Sequence, residues 1–357
     1  MRTIEVGIVG GGWRAEFFLR VMRELRELFR VSGVVVRDAG RASRLGHKWG
    51  VATYGAIEEM VKRTAPDFVV VSVSKPSAPT VIRELVAHGL PVLAETPPAP
   101  DVAGLSELYR LTLNGARIQV AEQYAFQPLH AARIAVAQSG KLGALSQAQV
   151  SVTQDYHAMS LIRRLLGLQF QDAVIRAQRF LSPVIAGPTR EGPPQEEKTI
   201  GVPQIIAQLD FGDKLGVYDY ANDQHRSWVR SSRVLVRGDR GEIHDTRVRY
   251  LQDFATPITA DLVRQDAGQD GNLEGYFHKG ILLGDDWVYR NPFAPARLND
   301  DEIAVATSLA GMAAYVQSGP PVYGLAEAAQ DHYLGLMVQQ AVESGETVRT
   351  TRQIWAG

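Results

Sequence analysis

The chain has 357 residues, with 38 Lys plus Arg against 39 Asp plus Glu and a formal net charge of −1, a balance that excludes the basic surface of a nucleic-acid binder. The length suffices for two domains, and the 45% hydrophobic and 22% charged fractions exclude a disordered composition. Cysteine is absent, which excludes disulfides, thiolate metal sites and cysteine nucleophiles, and no apolar run approaches the roughly 18 residues of a membrane span, so a soluble, cytoplasmic protein without membrane partners is expected.

Over residues 1–145, Val-rich runs alternate with amphipathic stretches. The runs Ile4 to Val9, Val31 to Val36, Phe68 to Val73, Pro91 to Ala94 and Arg117 to Ala121 read as strands buried on both faces of a parallel sheet. Between the first two, Phe17, Phe18, Val21, Met22, Leu25, Leu28 and Phe29 recur at helical spacing, with Arg20, Arg23, Glu24, Glu27 and Arg30 opposite. Helical stretches at Ala56 to Arg63, Pro79 to His88 and Asp101 to Leu113 complete a βαβ series. The series predicts an α/β fold that begins with a doubly wound parallel (Rossmann) sheet.

Residues 146–357 change period. Ala148, Val150 and Val152 alternate with polar residues, a helix is expected over His157 to Leu166, and alternating strands follow at Ile205 to Phe211, Leu215 to Tyr220, Ser227 to Arg237 and Thr246 to Leu251. Turn signals such as FGDK and RGDRGE separate them, which predicts an α+β domain with an open, largely antiparallel sheet. Gly187 to Gly201 reads as an exposed loop and Gln265 to Pro295 as an insert without clear periodicity. Helices at Asp300 to Gln317 and Leu325 to Ser344 close the chain, placed where they can pack back on the first domain.

Gly10, Gly12 and Ala15, in GIVGGGWRAEFF, fit G-x-G-x-x-G/A directly after the first strand and before the first helix. Gly10 permits the tight turn, Gly12 admits a pyrophosphate to the backbone, and Ala15 lets the helix pack close to the sheet. With Gly11, Trp13 and Arg14 they form a candidate site for NAD or NADP. Such a site usually adds an acidic residue at the end of the second strand for the ribose hydroxyls. If that position falls on Val36, Arg37 faces a 2′-phosphate and NADP is favoured; if it falls on Asp38, NAD is favoured.

The fingerprint, together with PVLAETPPAP, AEQYAFQP, the turn at Gly140 to Gly143, HAMSLIRRLLG, RGDRGEI and SGPPVYGLAEAAQDHYL, resembles the glucose-fructose oxidoreductase, inositol dehydrogenase and MocA family over essentially the whole chain. The resemblance implies a dinucleotide-binding domain followed by an open sheet that covers the nicotinamide. It implies oxidation or reduction of hydroxyl groups of sugars and polyols, and a homo-oligomer, dimer or tetramer, paired through that sheet. Three positions depart from the pattern. The family's Glu-Lys-Pro appears as Glu95, Thr96, Pro97; the Asp four residues before the helix-leading histidine is Thr153; and a histidine frequent at the start of an earlier helix is Ala78. The absent lysine leaves room for a second reading, a glycosidase that oxidises transiently, eliminates, adds water and re-reduces. A third is a regulator that binds dinucleotide and sugar without turnover.

Alcohol oxidation needs a base for the hydroxyl proton, and His157 is the best available, although it also suits a cap or a strand contact. Asp155 either orients it or caps the helix, and Tyr156 either bonds a sugar hydroxyl or packs. Lys75 either substitutes for the missing lysine or stays solvated. Ser72, Glu95 and Gln123 lie at successive strand ends, where ribose and nicotinamide contacts are expected. Asp331 and His332 are adjacent in a predicted helix and therefore do not share a face. Tyr218, Asp219, Tyr220, Asn222, Asp223, Gln224, His225 and Arg226 suit sugar recognition or a hairpin tip. No His and carboxylate spacing reads as a metal site.

Overall fold

The computed structural model describes residues 2–189, 191–268 and 274–357. The apolar runs of the first domain need cover on both faces, and helices supply it. β1 (Ile4–Val9), β2 (Phe29–Val35), β3 (Thr53–Tyr54), β4 (Phe68–Val71), β5 (Val92–Ala94) and β6 (Ile118–Val120) form a parallel sheet in the order β3-β2-β1-β4-β5-β6. It is flanked by α1 (Trp13–Glu24), α2 (Ala39–Trp49), α3 (Ile57–Arg63), α4 (Ala78–Ala87) and α5 (Val102–Leu113). The order reverses between β1 and β4, and a crevice opens there at the carboxyl ends of the strands.

α6 (Pro128–Gln138) leads to an eleven-stranded mixed sheet. Its strands are β7 (Leu145–Ser151), β8 (Val174–Ile185), β9 (Thr199–Asp210), β10 (Leu215–Ala221), β11 (Arg233–Gly238), β12 (Gly241–His244), β13 (Arg247–Leu251), β14 (Pro257–Ala267), β15 (Phe277–Leu283), β16 (Asp286–Arg290) and β17 (Val348–Arg349). β7 and β10 run parallel, while the other described pairs are antiparallel. α7 (Asp155–Leu166) covers one face together with α9 (Leu325–Ser344). α8 (Asp300–Val316) packs Ile303, Val305, Ala306 and Leu309 into the same core as Phe18 and Val21 of α1. The amino-terminal half of α9 joins the core under β4 and β5, so both closing helices lie on the first domain.

Several elements differ from expectation. The stretch read as an insert from Gln265 holds the end of β14 and all of β15 and β16, with residues 269–273 outside the described set. The expected loop from Gly187 ends in β9, and its residue 190 also lies outside that set. The strand expected from Ser227 begins at Arg233. α2, α6 and β8 were not foreseen.

Candidate active site

Gly10 follows β1 with φ +133°, and a Cβ there would fall 2.0 Å from the Ser72 carbonyl oxygen, so glycine is what allows the turn to pass the end of β4. A Cβ on Gly12 would meet nothing within 4 Å. Open space therefore lies in front of α1, whose N-cap is Gly12 and carries no capping side chain. Ala15 is fully buried beneath. These features fit a dinucleotide pyrophosphate: a close backbone approach, room for the group, and a helix N-terminus facing it.

The turn opens into a cleft of about 1930 Å³ that reaches from the end of β2 to the second sheet. Gly10, Gly11, Gly12, Trp13, Arg14, Arg37, Asp38, Ser72, Glu95 and Gln123 all line it, together with Tyr156 and His157. Arg14 Nε donates to Glu95 Oε1 at 2.7 Å and its Nη2 donates to Gln123 Oε1 at 2.5 Å, which joins three of the expected cofactor residues across the ends of β1, β5 and β6. Asp38 N-caps α2, its Oδ1 accepting from Arg41 N at 2.6 Å. Lys75 is exposed and absent from the cleft lining.

His157 sits in the first turn of α7, buried at its back, with Nδ1 2.7 Å from Glu122 Oε2. Glu122 is completely buried just after β6, and its Oε1 accepts from Tyr124 N at 2.8 Å. A carboxylate only accepts hydrogen bonds, so Nδ1 carries the proton and Nε2 is the basic nitrogen. The Tyr124 and Tyr156 rings flank the imidazole, with centroids 4.7 and 4.3 Å away. The Tyr156 hydroxyl donates to the Thr96 carbonyl at 3.2 Å, and burial chiefly pushes its pKa well above the ordinary tyrosine value, so it stays protonated. Tyr156 thus meets the backbone of the very residue that stands where the resemblance would place a lysine.

Asp155 neither caps α7 nor orients His157. The N-cap is Gln154, and Asp155 Oδ1 accepts from Gln339 Nε2 of α9 at 2.9 Å. The Asp331 and His332 pair divides as helical geometry requires. Asp331 is buried against Arg163 at 2.5 Å, whereas His332 meets the Tyr156 ring edge-on at 5.5 Å and is driven by burial to a pKa of about 4.

The polar aromatic segment also splits. Tyr218, Tyr220, Asn222, His225 and Arg226 line the cleft. Asp219 turns to Arg233 at 2.7 Å, Gln224 bonds the Ser151 and Ser231 carbonyls, and the Asp223 carboxylate is buried without a hydrogen-bond partner among the described residues. His225 Nε2 lies 2.9 Å from Gln154 Oε1, and its pKa is lowered by burial and then by the charges of Arg226 and His157. Glu122 is the residue that sequence reasoning missed. Its neighbour Gln123 was singled out for its strand-end position, and the same position was the available signal. Among the described residues no group of three or more His, Cys, Asp or Glu is placed to hold a metal ion, and no helix is long and apolar enough to cross a membrane.

Comparison with known proteins agrees with this fold. Residues 4–121 match the model of the GFO/IDH/MocA oxidoreductase family, NAD-binding Rossmann fold. Inositol 2-dehydrogenase of Leifsonia xyli subsp. xyli is 29% identical over 145 residues, which is 40% of this chain and 42% of that protein. An oxidoreductase from Agrobacterium radiobacter, solved with NAD+, L-tartaric acid and magnesium, shares the fold with a TM-score of 0.70 at 15% identity, covering 97% of this chain and 98% of its own. Levoglucosan dehydrogenase, solved with NADH, does so with a TM-score of 0.71 at 12% identity, covering 99% and 100%. Both likenesses are likenesses of fold. Over residues 4–121 the first domain of this chain is thus similar to the NAD-binding Rossmann domain of the GFO/IDH/MocA oxidoreductase family.

Proposed function

We propose that the protein is a nicotinamide-dinucleotide-dependent oxidoreductase acting on a secondary hydroxyl of a sugar, polyol or glycoside. The observation that carries the reading is the Glu122 and His157 pair, which shares one cleft with the glycine turn. The dinucleotide, when bound, supplies the hydride acceptor or donor. Everything else is done by side chains of this chain. Gly10, Gly11 and Gly12 admit the pyrophosphate, and Arg14, Glu95 and Gln123 form a braced platform beneath the nicotinamide end. His157 Nε2 takes the proton of the substrate hydroxyl as the carbonyl forms and returns it in reduction, while Glu122 holds the tautomer and stabilises the imidazolium. Tyr218, Tyr220 and Asn222 offer the flat faces and hydroxyl-pairing groups that sugars require. The names of the two dehydrogenase relatives, for inositol and for levoglucosan, support a polyhydroxylated substrate.

We further propose that the outer face of the second sheet pairs with another copy of the chain, because Phe180 of β8, on the face opposite the buried Ile175, is 43% exposed there. The catalytic reading is tested by incubating purified protein with NAD or NADP and a panel of sugars, polyols and glycosides. Reduced cofactor should accumulate in step with oxidised product. Release of sugar from a glycoside with no net change in cofactor would sink simple dehydrogenation.

A further inference from the structure

We propose that the dinucleotide bound here is the 2′-phosphorylated form, NADP(H), with Arg37 and Arg41 holding the phosphate. The inference rests on the dinucleotide reading above. In a glycine-turn Rossmann domain the adenosine ribose lies beside the end of the second strand, where a carboxylate takes the free 2′-hydroxyl of NAD. β2 ends at Val35, and the next residue, Val36, is buried with its two methyl groups 3.0 and 3.1 Å from the point where Gly11 would carry a Cβ. The side chain that abuts the glycine turn is therefore aliphatic and has nothing to offer a hydroxyl.

Asp38 also lines the cleft, with Oδ2 as its one uncommitted oxygen. Its Oδ1 is committed to the N-terminus of α2 through Arg41 N at 2.6 Å. Arg41 Cδ lies 3.2 Å from the same missing Cβ of Gly11, so its guanidinium extends from the edge of the glycine turn. Arg37 is exposed and lines the same end of the cleft. Among the described residues, neither guanidinium has an ion-pair or hydrogen-bond partner, although Glu84 of α4 also lines the cleft. Two unpartnered guanidinium groups beside an aliphatic residue complement a phosphate dianion, which takes paired N–H donors, and provide little for an uncharged hydroxyl.

Calorimetric titration of the full chain with NADP and with NAD tests this without turnover. NADP should bind roughly 30-fold tighter or better at low salt, and the margin should shrink as salt rises. The double variant Arg37→Ala, Arg41→Ala should erase the margin and change NAD affinity less than about threefold, as expected for contacts made to the 2′-phosphate alone. Val36→Asp should shift the preference toward NAD. Equal or tighter binding of NAD by the unaltered protein would overturn the proposal, as would a double variant that weakens both ligands alike. Binding of neither dinucleotide would instead remove the oxidoreductase reading on which the proposal rests.

Discussion

Glu122→Gln is a perturbation whose consequence follows from two hydrogen bonds. Both carboxylate oxygens of Glu122 are occupied, Oε1 by Tyr124 N at 2.8 Å and Oε2 by His157 Nδ1 at 2.7 Å, and the side chain is completely buried. Glutamine has one acceptor end and one donor end. Keeping Tyr124 N satisfied turns the amide N–H groups toward His157 Nδ1, which must then accept, so the ring proton moves to Nε2 and the nitrogen offered to the substrate is no longer basic. The lost charge-assisted bond contributes roughly 1.5–3 kcal/mol. An acid-base group out of action lowers kcat about 10²–10⁴-fold. Glu122 is not part of the cleft lining, so dinucleotide affinity should stay within about twofold, and the matched shape should leave the melting midpoint within a few degrees. The assay is kcat from nicotinamide absorbance beside a dinucleotide titration on the same preparation. A folded variant that keeps kcat within about threefold would refute the assignment of Nε2 as the base.

Three further outcomes are expected. Gly10→Ala would force a Cβ against the Ser72 carbonyl at a left-handed φ; it should cost several kcal/mol of stability or abolish dinucleotide binding, read by urea unfolding and titration, and a stable variant with full affinity would contradict the geometry. His130 is buried and accepts at Nδ1 from Arg133 Nη1 at 3.2 Å, with its pKa pushed down to about 3 by burial and then by the Arg133 charge. Its folded pKa lies below the unfolded value, so its contribution is complete above about pH 6.5 and is lost as pH falls toward about 3, amounting to about 3 kcal/mol by pH 4.5. His130→Gln should flatten urea-measured stability between neutral pH and that point, and an unchanged slope would count against it. Light scattering should give a dimer or larger species, with Phe180→Lys shifting it toward monomer; a monomeric unaltered protein would remove the proposed pairing of sheets.

The parallel sheet was legible because its strands are buried on both faces. Val6, Ile8, Val69, Val70 and Leu93 are all fully buried, and such runs leave a continuous apolar signature. α2 left none: of Ala39–Trp49 only Leu45 is buried, so no apolar stripe marks the helix. β8 exposes most of its side chains and β14 nearly half, and their order comes from ladders with β9 and with β13 and β15. The glycine turn and His157 could be read because each sits at a fixed offset from a strand or helix end. The Glu122 and His157 contact joins residues 35 positions apart, and it exists because α7 docks over the end of β6, which no local pattern encodes. The same holds for Arg14 with Glu95 and Gln123, separated by 81 and 109 positions.

The central claim is that His157, held by Glu122, moves the proton during hydride transfer in this cleft. The most direct measurement compares turnover of the unaltered protein with that of His157→Asn at saturating dinucleotide, on preparations whose dinucleotide affinities have been shown to match. The account predicts a loss of about 10²–10⁴-fold in kcat. A His157→Asn protein that turns over at the full rate would contradict it.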